Sequence, residues 1–173
     1  MRCLTGDPQQ GGAVSDSDAH AILLYDGVCG LCNRLVQFVL RRDPAGIFRF
    51  ASLQGALAGK ILKRHGLDSR DLDTVYVVID PDGADEQVWA RSDAVIYILR
   101  HLGGSDLSSG GPGLRAGTAH AIWRAGGFLL GRLPRTLRDW GYGVVARYRY
   151  RVFGRYETCP LPNEETRGRF LDQ

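Results

Sequence analysis

Ala21-Ile22-Leu23-Leu24-Tyr25-Asp26-Gly27-Val28-Cys29-Gly30-Leu31-Cys32 is an apolar run that ends in an acid, a turn glycine and two thiols three positions apart. Ala21 to Tyr25 is apolar at successive positions, as expected of a strand buried on both faces. Asn33 to Arg42 carries Leu35, Val36, Phe38, Val39 and Leu40 at helical spacing. The thiols therefore stand where a strand becomes a helix. The first turn of a helix has unpaired N–H groups and the positive end of the macrodipole, and both favour a thiolate over a thiol. Cys29 is the expected nucleophile. Cys32, one turn later on the same face, lies within disulfide reach and is the expected resolving thiol. A Cys-x-x-Cys at such a junction, in a chain without secretory features, reads as a thioredoxin-like redox motif.

Working outward, Asp43-Pro44 ends the first helix, and Ile47 to Ala51 is a short second strand. Gly55 to His65 places Leu57, Ile61 and Leu62 opposite Lys60, Lys63 and Arg64, an amphipathic helix with Gly66 suited to its C-terminal cap. Thr74 to Ile79 is the strongest strand signal, Asp80 to Gly83 supplies turn chemistry, and Gln87 to Arg91 returns as a hairpin partner. Ser92 is placed to cap a helix through His101. The resulting order of strand, helix, strand, helix, strand, strand, helix is that of thioredoxin.

The flanks differ in character. Residues 1–20 have little to bury and read as a flexible tail, and residues 104–113 read as a Gly/Ser-rich loop. Leu114 to Leu133 and Pro134 to Tyr148 read as two further helices, with Pro134 at the first helical position. Their Ile122, Trp123, Leu129, Leu130, Leu133, Leu137 and Trp140 are expected to be buried against the main domain. An interfacial helix would show a cleaner polar face.

The 173 residues, 44% of them hydrophobic, suffice for one well-buried domain with an extension. Four cysteines are too few for a disulfide scaffold. The N-terminus shows no apolar core of signal-peptide length, and no run of about 18 apolar residues occurs, so a cytoplasmic location is expected. Residues 114–155 hold nine arginines against one acid, a net of +8 in a chain whose total is +3. That asymmetry suits an acidic partner, an anionic membrane surface or nucleic acid. The plainer reading, that the arginines pair with acids of the main domain and keep the extension soluble, is preferred. No nucleic acid is expected as a partner, and a monomer is expected.

Tyr25 to Cys32 resembles the signature of the DCC family of predicted thiol-disulfide oxidoreductases, named for an Asp-Cys-Cys pattern that here is Asp26, Cys29 and Cys32. The resemblance continues through Phe48-Arg49-Phe50-Ala51-Ser52-Leu53-Gln54-Gly55, Tyr150-Arg151-Val152-Phe153-Gly154-Arg155 and Cys159-Pro160-Leu161-Pro162, and covers residues 21 to 171. It implies a thioredoxin-like fold and a reaction class, without a substrate. It also brings Cys159 toward the site as a third thiol that could trap or relay a disulfide. By itself, a lone cysteine is more often a small buried hydrophobe.

Other chemistries fit less well. A structural zinc site needs four ligands, usually with a second close pair, and none exists here. A phosphohydrolase strand ending in a nucleophilic Asp needs a second carboxylate two residues later, where this chain has Val28. Asp26 is read as capping and orienting the redox helix, with acceptance of the Cys32 proton as the lesser role. Gly27 and Gly30 support the turn. Asp73-Thr74-Val75 lacks the proline that precedes the third strand in thioredoxins, so Thr74 is a candidate for that place.

The expectation is a thioredoxin-like α/β fold, a central mixed sheet flanked by helices, over residues 21–103, with a helical Arg-rich extension over 114–173 packed on the same domain. Its activity would be exchange of protein or small-molecule disulfides and thiols, with no bound cofactor or metal. The alternative is a non-catalytic thioredoxin-like module that docks through its basic extension.

Overall fold

The computed structural model describes residues 21–68, 71–102, 114–156 and 164–172. The tail, the Gly/Ser-rich loop and Cys159 lie outside them. β1 (Ala21–Tyr25) is buried at every position because both faces of the sheet are covered. The sheet order is β2-β1-β3-β4, with β2 (Phe48–Ser52) parallel to β1. β3 (Tyr76–Ile79) runs antiparallel to β1, and β4 (Gln87–Ala90) antiparallel to β3. Leu23 faces Phe50 on one side and Val77 on the other.

α1 (Gly30–Leu40) makes the crossover between the parallel strands, followed by α2 (Ala56–Arg64) and α3 (Arg91–His101). Side chains alternating along β1 divide the core into two layers. Leu23 and Tyr25 join Val36, Val39 and Ile98 on the α1 and α3 face. Ile22 and Leu24 join Ala58, Ile61 and Leu62 on the α2 face. The fold is thioredoxin-like, in the element order that the periodicity predicts.

Several boundaries differ, each because a tertiary partner takes a backbone or side-chain group. β3 starts at Tyr76, not Thr74, because the Val75 N–H donates to the Tyr142 hydroxyl at 2.9 Å and its carbonyl accepts from Arg91 N–H at 3.0 Å. Ser92 is not the cap of α3, which follows Ala90; its hydroxyl donates instead to Asp139 Oδ1 at 2.5 Å. Asp43, fully buried, accepts from the Ile47 and Phe48 N–H groups and pairs with Arg169. That ties the segment after α1 to the chain's end.

α4 (Leu114–Arg132) and α5 (Arg135–Phe153) form the extension, with Pro134 capping α5 rather than opening it. α6 (Glu164–Arg167) is one short turn, after which Arg169 and Leu171 bond the backbone of Phe50 at the open side of β2. α4 lies along α3, and α5 reaches both α1 and α3. Trp123 meets Phe38 edge-on with ring centroids 4.9 Å apart. Yet the expectation that the apolar residues of these helices are buried is overturned: Trp140 is 70% exposed, Leu129 67%, Ile122 65% and Leu137 52%. Each helix gives only one flank to the domain, so the other apolar flank faces out. Three of the nine arginines pair with acids of the main domain, Arg135 and Arg138 with Asp93 and Arg149 with Asp73.

Candidate active site

The turn after β1 is built by side chains that satisfy its backbone. Asp26 is fully buried, and its Oδ1 accepts from Val28 N–H at 3.1 Å and from Gln54 Nε2 at 2.7 Å. Gln54 Oε1 in turn accepts from Gly27 N–H at 3.2 Å. Asn33 Nδ2 reaches back to the carbonyls of Gly27 and Cys29 at 2.8 and 3.0 Å. The turn is therefore clamped from within α1 and from the end of β2.

Cys29 itself caps α1, its sulfur accepting from Cys32 N–H at 3.4 Å. Asp26 orients the turn and does not cap the helix, because its carboxylate is held by Val28, Gln54 and Tyr150. Both thiols are free and buried. The Cys32 thiol donates to the Cys29 sulfur, and this bond is the chief reason that the Cys29 pKa is lowered to about 6. Burial opposes the shift, while Cys32 N–H and the Arg149 charge add to it. Cys32 moves the other way: donation to Cys29, burial and the Cys29 charge all push its pKa far above the thiol range. One sulfur is thus poised as thiolate and its neighbour as thiol.

Arg149 and Tyr150, from α5, complete the site. The Tyr150 hydroxyl donates to Asp26 Oδ2 at 2.5 Å and accepts from Arg149 Nη2 at 2.7 Å. Arg149 Nη2 also lies 3.6 Å from Asp26 Oδ2 and 3.0 Å from Asp73 Oδ1. Burial works against the Arg149 charge, but Tyr150 and the two sulfurs more than offset it and raise its pKa.

The segment after α5 covers the thiolate. Gly30 N–H donates to Gly154 O at 3.2 Å, Tyr156 N–H to Val28 O at 2.8 Å, and Arg155 bridges to Cys29. A Cβ on Gly30 would fall 2.1 Å from Phe153 O, so only glycine admits this approach. Cys29 is consequently 0% exposed.

Comparisons with known proteins place the chain in a family. A profile of the DCC1-like thiol-disulfide oxidoreductase family matches residues 23–109. The chain belongs to the DCC family. It is 36% identical to the uncharacterized protein YuxK of Bacillus subtilis (strain 168), over 91% of this chain and 98% of that protein. It is 33% identical to the DCC family protein At1g52590, chloroplastic, of Arabidopsis thaliana, over 84% of this chain and 72% of that protein. No solved structure matches the chain significantly. Membership in the DCC1-like family supports a redox role.

The three DCC blocks outside the C-terminal cysteine meet here: Asp26 from the first, Gln54 from the second, Tyr150 and Gly154 from the third. Cys29, Cys32, Asp26, Gly27 and Gly30 stand together as the sequence places them. Thr74 is buried with its hydroxyl donating to Asp71 Oδ2 at 3.0 Å. Sequence reasoning missed Gln54, Arg149 and Tyr150 as site residues, although Gln54 and Tyr150 lay in the resembling blocks. Arg149 gave no signal among nine arginines. His101 meets the Tyr97 carbonyl, while His65 pairs with Glu86. Among the described residues no group of three His, Cys, Asp or Glu could hold a metal ion, and no helix is long and apolar enough to cross a membrane.

Proposed function

We propose that this protein exchanges disulfides through Cys29 and Cys32, in the cytoplasm. The observation that carries this reading is the place of Cys29 at the N-cap of α1, where its sulfur accepts from the Cys32 N–H at 3.4 Å, a setting that favours the thiolate. Once the segment after α5 is displaced from Gly30, the Cys29 thiolate attacks one sulfur of a substrate disulfide, forming a mixed disulfide and expelling the other half as a thiolate that takes a proton. Cys29 then carries no charge, so two causes that hold the proton on Cys32 vanish together: the accepted hydrogen bond and the thiolate beside it. Arg149 continues to favour ionisation. Cys32 loses its proton, attacks the Cys29 sulfur and releases the second half of the substrate. The substrate gains two electrons and two protons, and the protein holds the internal disulfide until a thiol donor reduces it.

The test is the reduction potential of the pair, taken by equilibrating the protein against glutathione buffers and counting thiols by mass. A reversible two-electron couple that disappears in Cys29→Ser supports the reading; absence of a couple in the native chain overturns it.

A docking role is the second reading, favoured by the exposed stripe of Leu137, Trp140, Val144, Tyr148 and Val152 at helical spacing along α5. With the arginines around it, this face suits an anionic lipid surface. Salt-sensitive co-sedimentation with phosphatidylserine vesicles, retained in Cys29→Ser/Cys32→Ser, would support it.

A further inference from the structure

The segment that covers Cys29 does so as a strand. Gly30 N–H donates to Gly154 O at 3.2 Å and Tyr156 N–H donates to Val28 O at 2.8 Å. These bonds fall on either side of Cys29 and Arg155, which form an antiparallel bridge. Residues flanked in this way are a non-hydrogen-bonded pair of an antiparallel ladder, with Cα atoms about 4.5 Å apart and side chains on the same face. That separation lies within the span of about 4.4–6.8 Å that a disulfide bridges. Arg155 thus stands where a cysteine would stand if it were bonded to Cys29 from a passing strand.

Both hydrogen bonds join main chain to main chain, so neither depends on which side chains follow α5. Gly154, Arg155 and Tyr156 are exposed, whereas Cys29 beneath them is not. The missing side chain of Gly30 keeps this approach open, since a Cβ there would fall 2.1 Å from Phe153 O. Any disulfide that reaches Cys29 must first lift this strand, which frees the Val28 carbonyl and the Gly30 N–H. Polar groups left without partners beside a buried sulfur are costly. A small disulfide with no peptide backbone leaves them so. An extended polypeptide restores both bonds as the covering strand departs, so strand exchanges for strand.

We propose that residues 154–156 hold the place of the substrate: an extended polypeptide disulfide displaces them, pairs with Val28 and Gly30 in the same antiparallel register, and brings its cysteine to the position of Arg155. This rests on the exchange reading and adds to it a substrate class and an internal competitor. The Cys29 sulfur bonds to the sulfur of that cysteine, the substrate's own S–S bond breaks, and its other sulfur leaves with the electron pair as a thiolate. The residue before the substrate cysteine accepts from Gly30 N–H, and the residue after it donates to Val28 O.

The test uses the full chain carrying Cys32→Ala, in which exchange stops at the mixed disulfide. The probe is an acetylated and amidated Ala-Ala-Cys-Ala-Ala whose cysteine is joined by a disulfide to 5-thio-2-nitrobenzoate. Attack at the peptide sulfur releases the coloured thiolate, and mass mapping assigns the product to Cys29. Each rate is divided by that of the same probe with free glutathione, which cancels intrinsic reactivity. N-methylation of the residue after the cysteine removes the N–H that replaces that of Tyr156 and slows the reaction at least about threefold. N-methylation of the cysteine itself, whose N–H points away from the partner strand, leaves the rate within about twofold. The mercaptoethanol disulfide of the same leaving group, which offers neither bond, reacts at least about tenfold more slowly than the peptide. Independently, Arg155→Cys in the Cys32→Ala chain links to Cys29 when oxidised glutathione takes up the two electrons. Tyr156→Cys, facing the other side of the strand, does not. Equal rates for the two methylated peptides, a mercaptoethanol probe as fast as the peptide, or linkage at position 156 in place of 155 would each overturn the proposal. If the native chain keeps its reversible two-electron couple, any of these results overturns the strand pairing alone; loss of that couple overturns the exchange reading itself.

Discussion

The Tyr150 hydroxyl donates to Oδ2 of the fully buried Asp26 across 2.5 Å, joining residues 124 positions apart. Through this bond α5, the second helix of the extension, fixes the turn that presents the thiols. The extension is thereby part of the site and not an appendage to it. Arg149, on the preceding residue of α5, brings the cation that favours the thiolate.

Tyr150→Phe removes a donor from a buried carboxylate and the acceptor of Arg149 Nη2. Loss of stability by about 1–3 kcal/mol is expected, because the remaining polar groups stay buried. Urea unfolding measures it. A double-mutant cycle with Asp26→Asn should show coupling between the two sites, and strict additivity would mean that the bond contributes nothing.

The Cys29 thiolate rests chiefly on donation from Cys32. In the native chain, alkylation of Cys29 by iodoacetamide should follow a single ionisation near pH 6. Cys32→Ala deletes the donor and should move that midpoint upward by about one unit or more. Rate against pH, read by mass at Cys29, decides it; an unmoved midpoint would assign the thiolate to the helix terminus and Arg149 instead.

Stability of the reduced protein should depend on pH through the same pair. The folded pKa of Cys29 lies below its unfolded value of 9.0, so the unfolded state binds more protons between about pH 6 and 9, and stability rises across that window. Cys32 is raised in the folded state, so its contribution is lost as pH climbs beyond 9. Tyr142 and Tyr150, both pushed up to about 12 by burial first, add to the loss above pH 10. Denaturant midpoints from pH 5.5 to 10.5 should therefore peak near pH 9 when the thiols are reduced. The disulfide form should lack the rise between 6 and 9.

Gly30→Ala should loosen the cover over Cys29. Its Cβ would meet Phe153 O at 2.1 Å, which forces Phe153 and Gly154 away from the turn. We expect destabilisation of about 1–3 kcal/mol together with faster labelling of Cys29 by a bulky maleimide. Gly154, with φ of 75° and ψ of 173°, sits in a region essentially confined to glycine, so Gly154→Ala should act in the same direction. Equal labelling rates in native and variant chains would show that the cover does not limit access.

Much of this was legible from local pattern. Ala21 to Tyr25 declared a doubly buried strand because its successive apolar positions suit burial on both faces, and Asn33 to Arg42 declared a helix by its spacing. The Cys-x-x-Cys between them placed a thiolate at a helix terminus by geometry alone. Where local signals misled, a distant partner had intervened: Tyr142 took the Val75 N–H, and Asp139 took the Ser92 hydroxyl.

By itself, then, the sequence determined the order of elements, the buried strand and the position of the sulfurs, since these follow from periodicity, turn chemistry and covalent spacing within a few residues. Only the tertiary structure decided which arginine of nine faces the thiols, that Tyr150 and Gln54 hold Asp26, that residues 153–156 cover Cys29, and that Leu129 and Trp140 face outward. Those outcomes depend on contacts between residues far apart in the chain, and such contacts leave no periodic trace. A buried Arg149 reads, letter for letter, like its solvated neighbours.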